Sequence, residues 1–413
     1  MREMKDSRIV WIGAIPKRWQ LSKIGSLYTQ RNEKVSDKDY QPLSVTMQGI
    51  LPQLATAAKT DDGDNRKLVR VGDFAINSRS DRRGSCGISP LDGSVSLINI
   101  ILTPRTAMHP GYYNWLFHTT LFADEFYKWG HGIVADLWTT RWQEMKSITV
   151  PVPEYADQER IAAFLDAECA EIDAVLEKTR ASIEEYKKLK QAVITQAVTK
   201  GVRGDRPMKD SGIEWIGDIP AEWDVIRVKQ LLKERNERSK EGKEEPLSMS
   251  QKVGLVPTKF LESIPNMASS FVGAKLAYVD DLVFNKLKAH LGVFSVSRYD
   301  GLVSPDYAVY CSTGKSNLKY LEYIFKAPQC IGEFRKKSTG IAAGLMRLYT
   351  EGLFSIYLPY PALSEQEEIA EYLNEKCAGI DALIVKKQQY LTEIENYKKS
   401  LIYEYVTGKK EVV

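Results

Sequence analysis

The sequence predicts an α+β fold of two globular units joined by two long antiparallel coiled-coil helices, with an internal pseudo-two-fold repeat. Three observations carry this prediction. Two stretches of about 42 residues, Asp157 to Val198 and Glu365 to Val406, place apolar residues at steps of three, four and seven and contain no proline. Motifs from the first half recur in the second at a nearly constant shift. Gly201, Gly204 and Pro207 punctuate the joint between the copies.

The first unit opens with Lys5-Asp6-Ser7, Trp11-Ile12-Gly13, Ile15-Pro16 and Trp19. The second repeats these as Lys209-Asp210-Ser211, Trp215-Ile216-Gly217, Ile219-Pro220 and Trp223, a shift of 204 (215 − 11). Arg31-Asn32-Glu33 then matches Arg235-Asn236-Glu237, and Pro42-Leu43-Ser44 matches Pro246-Leu247-Ser248. Further on, Val69 to Arg79 matches Ala277 to Leu287, with Asn77 opposite Asn285. Gly132-Ile133 pairs with Gly340-Ile341, and Pro151-Val152-Pro153 with Pro359-Tyr360-Pro361. The recurring tryptophans Trp11, Trp19, Trp215 and Trp223 are assigned to the domain cores rather than to base stacking.

Short strands bounded by Gly, Pro, Asn and Asp are predicted at Phe74–Asn77, Val95–Leu102 and Ser147–Val150, then at Leu282–Asn285, Tyr307–Tyr310 and Phe354–Leu358. Shorter helices are predicted near Tyr112–Tyr127 and Leu318–Lys336.

Each unit leads into a long helix. The first carries its stripe on Ile161, Leu165, Ile172, Leu176, Ile183 and Leu189, the second on Ile369, Leu373, Ile380, Leu383, Leu391 and Leu401. Ser364 and Glu367 read as a capping box at the start of the second. At ~1.5 Å per residue each stretch is roughly 60 Å long, and a stripe so narrow needs a partner helix of similar length. The two stretches match outside the stripe as well: Gln158 with Gln366 and Asp173 with Asp381, a shift of 208 (366 − 158). Cys169 and Cys377 match too and read as small seam fillers. The predicted boundaries are 1–155 for the first unit, 156–200 for its helix, 201–363 for the second unit and 364–413 for the last helix. Two copies packed about an approximate two-fold axis run the helices antiparallel and bring the tail near Lys5-Asp6-Ser7.

Composition bounds the function. The chain has 413 residues, 43% hydrophobic and 27% charged, with a formal net charge of +3. That balance is ordinary for globular proteins and leaves any nucleic-acid contact to local patches. Five cysteines without CxxC spacing and four scattered histidines indicate neither a disulfide framework nor a metal site. No segment reads as a signal peptide or a membrane span, so a cytoplasmic protein without membrane contact is expected.

These motifs together carry a family resemblance. The WIGxIPxxW opening, the PxPxxxxQExI lead-in to the helix, the IDA step within it, the YKK segment and the terminal VTGK resemble the specificity subunit of Type I restriction–modification systems. The resemblance spans essentially the whole chain and both copies of each motif. The chain departs in reading VTKG at the end of the first helix and EYADQER against ALSEQEE at the helix lead-ins. The resemblance implies two target-recognition domains, each reading half of a split double-stranded DNA sequence, and a pair of helices that fixes the gap. It implies docking of two modification (methyltransferase) subunits and of motor-nuclease restriction subunits. It also implies no cofactor in this chain, with S-adenosylmethionine, ATP and Mg belonging to the partner subunits. Because the two units differ in sequence, the recognised site should be asymmetric.

Candidate DNA contacts in the first unit are Arg66, Lys67, Arg70, Asn77, Arg79, Arg82, Arg83, Lys128 and His131. In the second they are Asn285, Lys286, Lys288, His290, Arg335, Lys336 and Lys337. Arg and Lys in Gly/Ser-containing loops suit phosphates, and Arg also pairs with guanine in the major groove. Catalytic motifs are lacking: Ser304-Pro305-Asp306-Tyr307 only approaches an adenine-methyltransferase motif, Gly130-His131-Gly132 has no strand–helix context, and no Walker loop occurs. Two other readings compete with a non-catalytic DNA-recognition subunit. One is a two-domain coiled-coil scaffold that binds other proteins, which salt-sensitive binding to split DNA would separate from it. The other is an enzyme with an unrecognised site, such as a fused nuclease-methyltransferase, which methyl transfer by the chain alone would support.

Overall fold

The computed structural model describes residues 3–53, 62–133, 138–251, 253–261, 271–340 and 346–412. Ile341, matched to Ile133 in the repeat, and Val413, the end of the last helical segment, lie outside the described residues. The chain divides into two compact units, Met1–Arg180 with Gln389–Val413, and Ala181–Gln388. The long helices run Tyr155–Lys200 and Leu363–Val406. Residues 155–180 and 389–406 of them therefore belong to the first unit, and 181–200 and 363–388 to the second.

The first unit is built on a four-stranded antiparallel sheet in the order Cys86–Ile88, Phe74–Asn77, Asn99–Pro104, Tyr28–Arg31. All four residues of Phe74–Asn77 are buried, which explains its unbroken apolar run. A three-stranded sheet (Gly93–Val95, Arg66–Val69, Lys34–Val35) and short pairs complete the β layer. The helices Pro110–Phe117 and Thr120–Lys128 send Tyr112, Tyr113, Phe117, Phe122 and Phe126 into a core shared with Trp11, Trp19 and Phe74. Trp11 and Trp19 are thus core residues, as expected.

The second unit repeats this plan. Its four-stranded sheet runs Phe294–Val296, Leu282–Asn285, Tyr307–Ser312, Leu232–Arg235. Helices Leu318–Lys326 and Pro328–Lys337 cover its core, with Trp223 fully buried and Trp215 packed against the margin. The ion pair Arg31–Asp73 (2.7 Å) recurs as Arg235–Asp281 (2.8 Å).

Within each unit the two helical segments pair antiparallel, and the off-stripe matches acquire reasons. In the first, Asp173 binds Lys398 at 2.6 Å and Arg180 binds Glu395 at 2.6 Å. In the second, Lys190 binds Asp381 at 2.6 Å, the same pairing with the roles exchanged between the segments. Gln158 accepts from the His109 N–H and donates to the Pro153 carbonyl, both at 2.9 Å. Gln366 accepts from the Asn317 N–H at 2.9 Å and donates to the Pro361 carbonyl at 3.0 Å. Cys169 and Cys377 are buried in the respective cores.

Four expectations change. The strand expected at Phe354–Leu358 runs Tyr357–Tyr360, because Phe354 closes the short helix Thr350–Phe354. The last helix starts at Leu363, so Ser364 lies inside its first turn and does not cap it; the Ala362 carbonyl accepts from Glu365 and Gln366 instead. Val95–Leu102 is two strands, split by a turn in which Asn99 bonds back to Ser96 through both its backbone N–H and its side chain. Each predicted short helix is two helices. The break falls at Thr119, whose hydroxyl caps the next segment by accepting from Phe122 N–H, and at Ala327, which precedes Pro328.

Candidate nucleic-acid interface

The central strand of each sheet ends in an asparagine that sets the next turn. Asn77 Oδ1 accepts from the Arg79 N–H at 3.0 Å, and Asn285 Oδ1 accepts from the Leu287 N–H at 3.1 Å. Such Asx turns redirect the backbone out of a strand. The Ser78 carbonyl then accepts from Thr140 N–H at 3.0 Å, and Thr139 bridges to both Arg79 and His131. In the second unit the Lys286 carbonyl accepts from Leu348 N–H at 3.0 Å, and Thr339 bridges to Arg347. Beneath each turn sits a lysine on a carbonyl: Lys67 Nζ donates to Asn99 O at 2.7 Å, and Lys275 Nζ to Tyr307 O at 3.2 Å.

In the first unit this arrangement opens a cleft of about 340 Å³, whose walls include Gln30, Lys67, Arg79, Asn99, Arg141 and Trp142. Arg79 and Arg141 are exposed there; Glu144 accepts from the Arg141 backbone N–H at 3.0 Å, but no carboxylate among the described residues pairs with either guanidinium.

The predicted contacts fall into separate groups. Arg66 is 4% exposed and spends its guanidinium on Ser94, at 2.9 Å to the hydroxyl and 3.0 Å to the carbonyl, so it ties two strands together. Burial pushes the Lys67 ammonium below its ordinary pKa, and Asn77 is buried as well. Arg70 is held by Asp92 at 2.9 Å beside the Tyr40 ring. Arg82 and Arg83 remain on the surface; Arg83 pairs with Asp124 above the Tyr127 ring, and Arg82 stands 3.7 Å from Asp81. Lys128 is exposed near Glu125, whereas His131 is joined to the cleft rim through Thr139.

In the second unit Asn285 and Lys286 are half-buried, Lys288 is exposed and His290 is buried. Burial, with Lys275 nearby, lowers the Lys286 pKa. Arg335, Lys336 and Lys337 form the exposed last turn of Pro328–Lys337, with Lys336 on Glu333 at 2.7 Å. Arg66, Asn77 and His290 therefore serve the interior, while Arg79, Arg82, Arg83, Lys288 and the Arg335–Lys337 turn face solvent.

Two residues escaped the sequence reading. Arg141, in the cleft wall, and Arg347, 3.4 Å from Asp306, arrive from the segment before the last strand of each unit. They are not counterparts in the repeat, since a shift of 208 sets Arg141 opposite Tyr349 and Arg347 opposite Thr139, and each lies some 60 positions from the turn of its own unit.

The sequence is similar to the Type I restriction enzyme MjaVIII specificity subunit of Methanocaldococcus jannaschii, 24% identical over 285 residues covering 65% of this chain and 63% of that protein. It is also similar to the EcoDI specificity subunit of Escherichia coli, 22% identical over 294 residues covering 64% and 63%. The chain thus spans a little under two thirds of the length of each of these relatives. No family-level sequence profile matches it. A chain solved in work on complex assembly and conformational transition of the type I R-M system superposes with a TM-score of 0.74 at 13% identity, covering 96% of this chain and 99% of that one. The HsdS subunit from Thermoanaerobacter tengcongensis superposes with a TM-score of 0.54 at 15% identity over 96% and 98%. The resemblance read from the motifs is borne out in sequence, and the fold class is that of these solved subunits.

Proposed function

We propose that this chain is the non-catalytic DNA-recognition subunit of a Type I restriction–modification complex and reads a bipartite, asymmetric DNA sequence. Residues 1–155 and 201–363 are then the two target-recognition domains. Residues 156–200 and 364–413 are the spacer helices that set the gap between half-sites and dock the modification and restriction subunits. Those subunits supply S-adenosylmethionine, ATP and Mg chemistry, in the cytoplasm.

One observation carries the reading. The same strand order and the same Asx turn recur in both units, while the side chains around the turn differ. Arg79 stands where the second unit has Leu287, and Ser78 where it has Lys286. Two equivalent scaffolds bearing different donors and acceptors are what reading two different half-sites requires. The similarity to named Type I specificity subunits supports the same conclusion. The test is to map methylated adenines in the source genome with and without this chain. A split motif that disappears on deletion is the expected result, and an unchanged methylation map refutes the proposal.

A further inference from the structure

We infer that the cleft of the first unit is a guanine-reading subsite, with Arg79 and Arg141 as its specificity-determining residues. The inference rests on the DNA-recognition reading and adds which residues read which kind of base. Most basic side chains of the unit are already committed: Arg31 to Asp73, Arg66 to Ser94, Arg70 to Asp92 and Arg83 to Asp124. Arg79 and Arg141 are exposed and line the same cleft, and their guanidinium groups have no carboxylate partner among the described residues. Two uncompensated guanidinium groups there attract an electron-rich ligand.

The walls point to a base rather than a phosphate alone. Leu97, Ile98 and Trp142 supply apolar surface beside the polar Gln30 and Asn99. A phosphate needs only donors, whereas a base edge presents flat apolar area together with fixed acceptors. Guanine O6 and N7 are the acceptor pair that a planar guanidinium meets with two bonds. The backbone around the cleft also fixes both arginines. Arg79 follows the Asx turn and is bridged to Thr139, and Arg141 precedes the short helix Trp142–Met145. The equivalent places in the second unit are Leu287 and Tyr349, so this guanine preference belongs to one half of the site only.

The experiment uses the full chain co-expressed with its modification subunits in a host lacking adenine methylation, followed by single-molecule methylome sequencing. R79L/R141Y is compared with the wild type. Expected is a motif in which a guanine of one half relaxes, with discrimination there falling roughly 5- to 150-fold, while the other half stays unchanged. Uniformly weaker methylation of an unchanged motif shows phosphate contact only and overturns the inference, as does a wild-type motif with no guanine in either half. If the wild-type chain directs no split motif, it is the recognition proposal that fails. Should the double variant not fold, R79Q and R141Q decide. Each removes the cation and its fork while keeping a polar side chain of similar reach, so relaxation at the same guanine supports the subsite and an unaltered motif refutes it.

Discussion

Replacing Glu365 by alanine tests whether the start of the last helix is locked as the structure shows. Glu365 is 2% exposed and accepts from Trp223 Nε1 at 2.9 Å. Arg206 Nη1 lies 2.7 Å from its other oxygen as an ion pair without hydrogen-bond alignment, and the guanidinium stacks 5.2 Å from the Trp223 ring. Glu365→Ala leaves a buried indole N–H without that acceptor and a largely buried arginine with only the exposed Glu222 and the Lys200 carbonyl among the described residues. Breaking a buried pair in this way costs about 3–5 kcal/mol. The first unit offers an internal comparison. Asp157 accepts from Trp19 Nε1 at 3.2 Å, but its ion partners Arg18 and Arg160 are 46% and 56% exposed. Solvent screens those pairs, so Asp157→Ala loses mainly the indole bond, about 1–3 kcal/mol. Urea denaturation followed by tryptophan fluorescence measures both. With slopes of about 1–3 kcal/mol/M, Glu365→Ala moves its midpoint by roughly 1 M or more. Glu365→Gln, which keeps an acceptor for Trp223, should fall between. A cost for Glu365→Ala no larger than that of Asp157→Ala would show that the pair contributes little and refute the reasoning.

Burial holds the His118 ring below its ordinary pKa of 6.5, although its backbone contacts pull the other way. The unfolded chain therefore takes up this proton first, so stability is full above about pH 6.5 and falls as pH drops toward the folded value; His118→Gln should flatten that slope in equilibrium unfolding. The tail is held within the first unit by Lys409 Nζ, which donates to the carbonyls of Ile12 (2.5 Å) and Ala14 (3.4 Å). A permutant with joined termini and a new opening near Gly204 should consequently remain soluble and unfold cooperatively, and aggregation or a broad transition by circular dichroism would argue against it. Arg82→Ala/Arg83→Ala should weaken DNA binding and lower the salt slope by between one and two, measured by fluorescence anisotropy across salt concentrations, since each phosphate contact contributes ~0.9. Unchanged affinity at every salt would remove that loop from the interface.

The long helices were legible because their signal is local. Periodic apolar residues with no proline over some 40 positions leave few alternatives to a paired helix. The doubling was equally plain, and the recurring tryptophans could be placed in cores because nothing else required them at matched positions. The candidate interface was only partly readable. Arg66 sits beside Lys67 and near Arg70 in a basic run, yet it faces inward because a strand alternates its sides, and Ser94 waits there to receive it. Charge density along a chain says nothing about which face a residue takes when the strand's register is unknown.

The sequence by itself determined that the chain is a tandem α+β object with two long amphipathic helices, and it carried the motifs that mark the resemblance. Tertiary structure decided which carboxylate meets which lysine across the paired segments, and which arginines are spent inside and which stand exposed at the cleft. The physical reason is range. Periodicity and turn chemistry act within a few residues, whereas Arg79 and Arg141 meet in one cleft only after the sheet, the helices and the returning segment have packed.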